Sequence, residues 1–187
     1  MQVDRDNDLP AIIHVNGTQV WYQNGCMHRD NDQPAAISSN GDMMWYQHDK
    51  KHRDNDQPAA ILSNGDMGWY QYGKKHRDND QPARITSDGF FWYQNDELHR
   101  DYDLPAAMWS SGNCTWYQHG KEHRENHFPA HIENNRLQMW YVNGCLHRDD
   151  GYPAVIDYTE KKEKWYINNI CYAIIGFTEH INIEKCS

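Results

Sequence analysis

The residues of this 187-residue chain that could do chemistry come as a refrain. His-Arg-Asp occurs at His28-Arg29-Asp30, His52-Arg53-Asp54, His76-Arg77-Asp78, His99-Arg100-Asp101 and His147-Arg148-Asp149, with a His-Arg-Glu variant at His123-Arg124-Glu125. The triplet is that of protein-kinase catalytic loops. A kinase also needs a downstream asparagine-bearing loop and a glycine-rich phosphate loop, and neither accompanies it here. The histidines His28, His52, His76, His99, His123 and His147 invite a zinc site. In an antiparallel meander, equivalent residues of successive units lie two strands apart, roughly 9.5 Å. Zinc–nitrogen bonds are about 2.0–2.1 Å, so neighbouring histidines cannot share one ion. Asp30-Asn31-Asp32, Asp54-Asn55-Asp56 and Asp78-Asn79-Asp80 alternate oxygen ligands but lack the glycine and bidentate glutamate of a calcium loop. They read as solvated Asx turns. No Ser/His/Asp or Cys/His set stands apart from the refrain. No metal, cofactor or catalytic residue is expected.

What positions these residues is an array. Trp-Tyr recurs at Trp21-Tyr22, Trp45-Tyr46, Trp69-Tyr70, Trp92-Tyr93, Trp116-Tyr117, Trp140-Tyr141 and Trp165-Tyr166. All seven prolines (Pro10, Pro34, Pro58, Pro82, Pro105, Pro129, Pro153) keep the same beat. The period is about 24 residues, the scale of a stacked structural repeat. A unit that small cannot close its own core and must borrow its neighbours' surface.

Each unit carries two turn signals. A variable one lies between Pro and Trp, as at Asn16-Gly17, Asn40-Gly41, Asn64-Gly65, Asp88-Gly89 and Ser111-Gly112. A fixed one follows Trp-Tyr-Gln, strongest at Asn24-Gly25 and Asn143-Gly144, where a type I′ hairpin needs two positive φ angles. Two turns predict two strands per unit, about fourteen strands in all, with no sustained helical period. If His48-Asp49 is the turn, Gln47 faces Lys50, Tyr46 faces Lys51 and Trp45 faces His52. That register predicts two ladders. Trp21, Trp45, Trp69, Trp92, Trp116, Trp140 and Trp165 would pack with the six histidines on one face as the structural ladder. Tyr22, Tyr46, Tyr70, Tyr93, Tyr117 and Tyr141 would stack with Arg29, Arg53, Arg77, Arg100, Arg124 and Arg148 on the other, the candidate binding face. Aspartates two strand positions away are placed to pair with these arginines, at about 0–1 kcal/mol for each exposed pair.

Composition narrows the partners. A formal net charge of −9 argues against sequence-independent nucleic-acid binding, which needs clustered Lys and Arg. The chain is poor in aliphatic residues, yet its aromatics, at 13%, are strictly phased, so it reads as ordered. Five scattered cysteines, Cys26, Cys114, Cys145, Cys171 and Cys186, form no framework and read as free thiols of a reducing compartment. With no signal-like N-terminus and no long apolar run, a soluble, intracellular protein is expected.

Trp21-Tyr22-Gln23-Asn24-Gly25-Cys26-Met27-His28 resembles the MORN repeat family, whose β-hairpin units of similar length form extended antiparallel sheets. The fuller pattern, Trp-Tyr-x-Asn-Gly…His-Arg…Pro-Ala, resembles the MORN-like variant found in large DNA viruses and bacteriophages. The match covers nearly all of residues 4–170. Arg53-Asp54 and Pro58-Ala59 stand where MORN repeats favour glycines. The resemblance implies a non-catalytic scaffold or interaction module, plausibly viral, in the host cytoplasm or virion.

The fold expected is therefore all-β: an elongated antiparallel meander of about seven MORN-like β-hairpin repeats over residues 1–170, with residues 171–187 as a C-terminal cap or dimerisation segment. The seventh unit has Tyr172 and Ala173 where His and Arg should be, then the apolar run Ile174-Ile175-Gly176-Phe177. The function expected is a protein–protein interaction scaffold with unidentified protein partners and a homodimer contact through the C-terminal segment. The alternative is anionic lipid headgroup binding by the Arg-bearing face.

Overall fold

The computed structural model describes residues 8–134 and 136–177. Every element in it is a strand or a turn, and the strands run antiparallel. The strands are short because left-handed residues punctuate each repeat three times. Gly17 (φ 89°) closes the Pro-to-Trp turn, and Asn24 (50°) and Gly25 (76°) form the fixed hairpin turn. Asn31 (58°) and Asp32 (55°) make a further two-residue turn in the stretch read as a solvated Asx turn. Asn and Asp tolerate this region because their short side chains bond locally.

Three turns give four strand segments per repeat in place of the two expected. The chain divides into two compact units, one ending at Ser87 and one beginning at Asp88. In the first, Ile12–Ile13, Gln19–Val20, Ala36–Ile37, Met43–Met44, Ala60–Ile61, Met67–Gly68 and Arg84–Thr86 pair successively as a meander. In the second, Gly89–Phe91, Ala107–Trp109, Cys114–Thr115, His131–Glu133, Leu137–Met139, Val155–Asp157, Lys162–Ile167 and Ile170–Gly176 do the same. The Trp-Tyr hairpins are separate two-stranded ladders, such as Tyr46–Gln47 with Lys50–Lys51 and Tyr117–Gln118 with Lys121–Glu122. Their register is the one read from the turn: Tyr46 faces Lys51 and Gln47 faces Lys50.

The core is assembled from Pro-Ala and Trp. Ala35, Ala59, Ala83, Ala106, Ala130 and Ala154 are 0% exposed. Each accepts, through its carbonyl, the backbone N–H of the tryptophan one repeat earlier, as in Trp45 to Ala59 at 2.9 Å and Trp116 to Ala130 at 2.8 Å. The alanine methyl is all that fits where one repeat's strand meets the preceding tryptophan. The Trp-Tyr tryptophans Trp21, Trp45, Trp69, Trp92, Trp116 and Trp140 are buried, and Trp165, in the last Trp-Tyr pair, is only half-buried. Aromatics burying about 150–250 Å² each dominate a core this poor in Leu and Val.

In the fourth repeat, which is one residue short, Gly89 begins a strand where the Asp88-Gly89 pair suggested a turn. Its φ of 150° carries it against the backbone of Met108 and Trp109. In the seventh repeat the side hairpin merges into the sheet, with an irregularity between Trp165 and Tyr166. Residues 178–187 of the expected cap lie outside the described residues. Cys26, Cys145 and Cys171 are free thiols, as expected. Cys114 is buried beside Trp116 and Ile132.

Candidate functional site

The refrain residues converge on a clasp that joins consecutive repeats within each compact unit. The side-hairpin ladder ends at Trp45 and His52, joined by His52 N–H to the Trp45 carbonyl at 3.2 Å. Past His52 the chain leaves the strand, so alternation no longer sets the direction of Arg53. The guanidinium–phenol stacking expected from register does not form. Arg53 instead lies over the Trp45 ring, its Cζ 4.0 Å from the centroid. The same contact recurs at Arg29 on Trp21 (4.0 Å), Arg77 on Trp69 (3.9 Å), Arg100 on Trp92 (3.8 Å), Arg124 on Trp116 (3.9 Å) and Arg148 on Trp140 (3.9 Å).

From that position the arginine reaches backward by 21 residues. Arg53 Nε and Nη2 fork the two carboxylate oxygens of Asp32, each at 2.7 Å. Arg29 takes Asp8 (2.6 and 2.8 Å), Arg77 takes Asp56 (both 2.8 Å), and Arg124 takes Asp103 (2.8 and 3.0 Å). Bidentate guanidinium–carboxylate pairs are the strongest form of this bond. The third donor, Nη1, bonds forward to a proline carbonyl, Pro58 for Arg53 at 3.4 Å. The aspartate is held from its backbone side as well, because Trp45 Nε1–H donates to the Asp32 carbonyl at 3.0 Å. Tryptophan and arginine of one repeat thus grip one aspartate of the repeat before.

Histidine fastens the opposite direction. His52 Nδ1 accepts the backbone N–H of Tyr72, in the next repeat's turn, at 3.3 Å, and its ring stacks on Tyr72 with centroids 4.4 Å apart. His28 and His99 do the same with His48 and His119. Since a backbone N–H can only donate, Nδ1 must be the acceptor, and Nε2 carries the proton that goes to Asp54 at 3.0 Å. The second oxygen of Asp54 accepts Gln47 at 2.9 Å. The expected Trp–His ladder is therefore realised through the backbone, while the imidazole ring itself serves the next turn.

These bonds account for the Asp-Asn-Asp clusters. The first aspartate takes histidine and glutamine, and in the first two clusters the last takes the arginine of the following repeat. The Arg53 guanidinium holds the Asp32 carboxyl below the usual carboxylate range, as Arg29 does for Asp8 and Arg77 for Asp56. Hydrogen bonds from Gln47 and His52 do the same for Asp54, and His76 and Gln71 for Asp78. The aspartates 21 residues before Arg29, Arg53, Arg77 and Arg124, the glutamines two after the first five Trp-Tyr tryptophans, and the alanines after each proline are the partners that residue-type reasoning did not single out. Their fixed spacing to the refrain was the available signal.

The tyrosines lie elsewhere. Tyr22, Tyr46, Tyr70, Tyr93, Tyr117 and Tyr141 are all half-buried. They stand opposite Met27, Lys51, Lys75, Leu98, Glu122 and Leu146 in the side hairpins. The Lys51 ammonium sits 5.1 Å from the Tyr70 ring centre, and burial lowers its pKa. Burial, aided by Glu122, pushes the Tyr141 phenol up to about 12. The candidate binding face therefore separates into an arginine set folded inward over tryptophan and a half-exposed tyrosine set. Among the described residues no helix is long and apolar enough to cross a membrane. No protein-family model matches the chain, and comparison with curated proteins finds no match.

Proposed function

We propose that this chain is a non-catalytic, MORN-like repeat scaffold that binds protein partners along its tyrosine-bearing side hairpins. One observation carries the reading: repeat after repeat, the residues able to do chemistry are engaged in joining neighbouring units. Histidine is bonded at both ring nitrogens, as at His52. Arginine is stacked on tryptophan and, as at Arg29, Arg53, Arg77 and Arg124, forked on aspartate. What recurs on the outside is half-exposed tyrosine, a residue type enriched where binding energy concentrates. Support for the family assignment is the antiparallel hairpin meander together with the Trp-Tyr…His-Arg…Pro-Ala pattern; the viral setting is supported by that pattern alone.

The lipid-headgroup alternative draws no support from the clasp. The side chains of Arg29, Arg53, Arg77 and Arg124 are only 9–14% exposed and already hold carboxylates. A homodimer through residues 171–187 has one favourable feature, since Ile174 and Ile175 on the last described strand are 59% and 54% exposed.

Site-specific photo-crosslinkers at Tyr46, Tyr70 and Tyr117 test the proposal in the protein's native setting. A reproducible protein adduct at these positions, absent from a crosslinker at exposed Asn64, is expected. Adducts to lipid alone, or no protein adduct above the Asn64 control, would overturn it. Solution mass with and without residues 171–187 reads the dimer separately.

A further inference from the structure

The sixth repeat breaks the clasp. Arg29, Arg53, Arg77 and Arg124 each close their fork on the aspartate 21 residues earlier. Twenty-one residues before Arg148 stands His127. Its backbone keeps its part, with φ 62° and a carbonyl that accepts Trp140 Nε1–H at 2.7 Å. Its imidazole supplies no acid; it is 62% exposed and lies 3.9 Å from Asp150. Arg148 still stacks on Trp140 and still donates Nη1 to the Pro153 carbonyl at 3.2 Å. Its Nε, however, is buried with no hydrogen-bond partner.

A buried guanidinium N–H without an acceptor is costly, the more so because the group is charged. Burial also depresses the pKa of Arg148, opposed by Tyr152, Glu163 and Tyr158. The surroundings have changed in the same place. The groove between the His123–Phe128 loop and the next hairpin encloses about 360 Å³, against about 250 and 240 Å³ for the equivalent grooves at Arg77 and Arg53. Val142 lines it where other repeats carry glutamine, and Phe128 edges it; these are 37% and 45% exposed. The carboxylates within it are engaged, Glu125 by His123 and Asp149 by His147, each at 2.9 Å.

We propose that the Arg148 groove is a docking site for an acidic side chain of a partner protein, whose carboxylate takes the place that Asp32 takes on Arg53. The four intact clasps show the geometry: Nε and Nη2 on two oxygens at 2.6–3.0 Å. His127, exposed at the rim, must swing aside to admit it. Val142 and Phe128 offer contact to an apolar residue beside the acid. The net charge of −9 does not prevent this, because charges beyond about 8 Å are screened at physiological salt. That the carboxylate comes from a protein rests on the scaffold reading.

The test is a titration of the isotope-labelled full chain, following the arginine Nε–Hε resonances with acetyl-Phe-Asp-Gly-amide. Its asparagine analogue, acetate and inorganic phosphate are the comparison probes. The resonance of Arg148 should shift saturably with the acidic peptide while those of Arg53 and Arg124 stay still. The asparagine peptide should bind at least about tenfold more weakly, the worth of one charge-assisted pair. His127→Asp, which restores the intrachain acid, should abolish the shift. No movement of Arg148, equal response to both peptides, or an undiminished response in the His127→Asp chain would overturn the site. Acetate or phosphate binding as tightly as the peptide would overturn the partner-protein source. This titration reads Arg148 alone, so it stands or falls separately from the tyrosine crosslinks.

Discussion

Arg53 covers one face of Trp45 at 4.0 Å, and both reach back to the same residue, Asp32: the guanidinium to its carboxylate, the indole N–H to its carbonyl. The stacked cation covers that face of the ring, and such contacts are worth about 0.5–2 kcal/mol. A refrain that resembles a catalytic triplet in sequence is thereby a joint between consecutive repeats, as at Arg29, Arg53, Arg77 and Arg124.

Acid should loosen these joints. Arg or His and Gln hold Asp32, Asp54, Asp56 and Asp78 below the usual carboxylate range, so the unfolded chain binds protons before the folded one does. Their contribution is full above the unfolded value of about 3.8 and is lost as the pH falls through the lower folded values. His131 adds a second window. Burial lowers its pKa from 6.5, with Glu133 opposing, and its Nδ1 lies 2.7 Å from Thr115 Oγ1. Stability carried by the neutral ring is full above 6.5 and declines as pH falls toward the folded value. Urea midpoints measured from pH 8 to pH 2 should drop in two stages, and His131→Gln should remove only the upper one.

Ala59 tests the packing. It is 0% exposed and receives the Trp45 N–H, so a larger side chain must push the strand away from that tryptophan. Ala59→Leu should cost about 1–3 kcal/mol through overpacking. Chemical denaturation reads the loss, and an unchanged midpoint would show that the site can expand.

Gly89 tests the shortened fourth repeat. At φ 150°, an added Cβ would run into the Met108 carbonyl and the Trp109 Cα, both backbone atoms that cannot rotate away. Gly89→Ala should destabilise by at least about 2 kcal/mol, combining strain with steric displacement. Thermal unfolding of the variant beside Gly65→Ala, which has open space around it, isolates the steric part.

His127→Asp should stabilise. It supplies the acid that Arg148 lacks and places aspartate, which tolerates left-handed backbone, at φ 62°. A gain of up to about 1 kcal/mol is expected for a partly exposed pair. A lower melting temperature would mean that the sixth repeat's loop is shaped around histidine for another reason.

Much of the architecture was readable because turn chemistry is local. Asn24-Gly25 demands two positive φ angles, and with His48-Asp49 at the same place one repeat on, the facing of Tyr46 with Lys51 follows by counting. The third turn at Asn31-Asp32 was legible only as a solvated Asx turn that did not count toward the strands, since Asx residues satisfy several local geometries. The clasp was the least legible part. Alternation predicts side-chain direction only while the ladder continues, and it stops at His52, one residue before Arg53. Where that guanidinium then goes depends on a carboxylate in another repeat, a tertiary fact that spacing records but residue type does not announce.

The account's central claim is that Asp32 and Arg53 act as one fastening between consecutive repeats. A double-mutant cycle with Asp32→Asn, Arg53→Gln and the pair, read by urea unfolding, tests it most directly. With Asp32 58% exposed, the expected coupling is discounted for solvent to about 1 kcal/mol. Coupling of that size is the predicted result, and strictly additive single mutants, with no coupling, would contradict it.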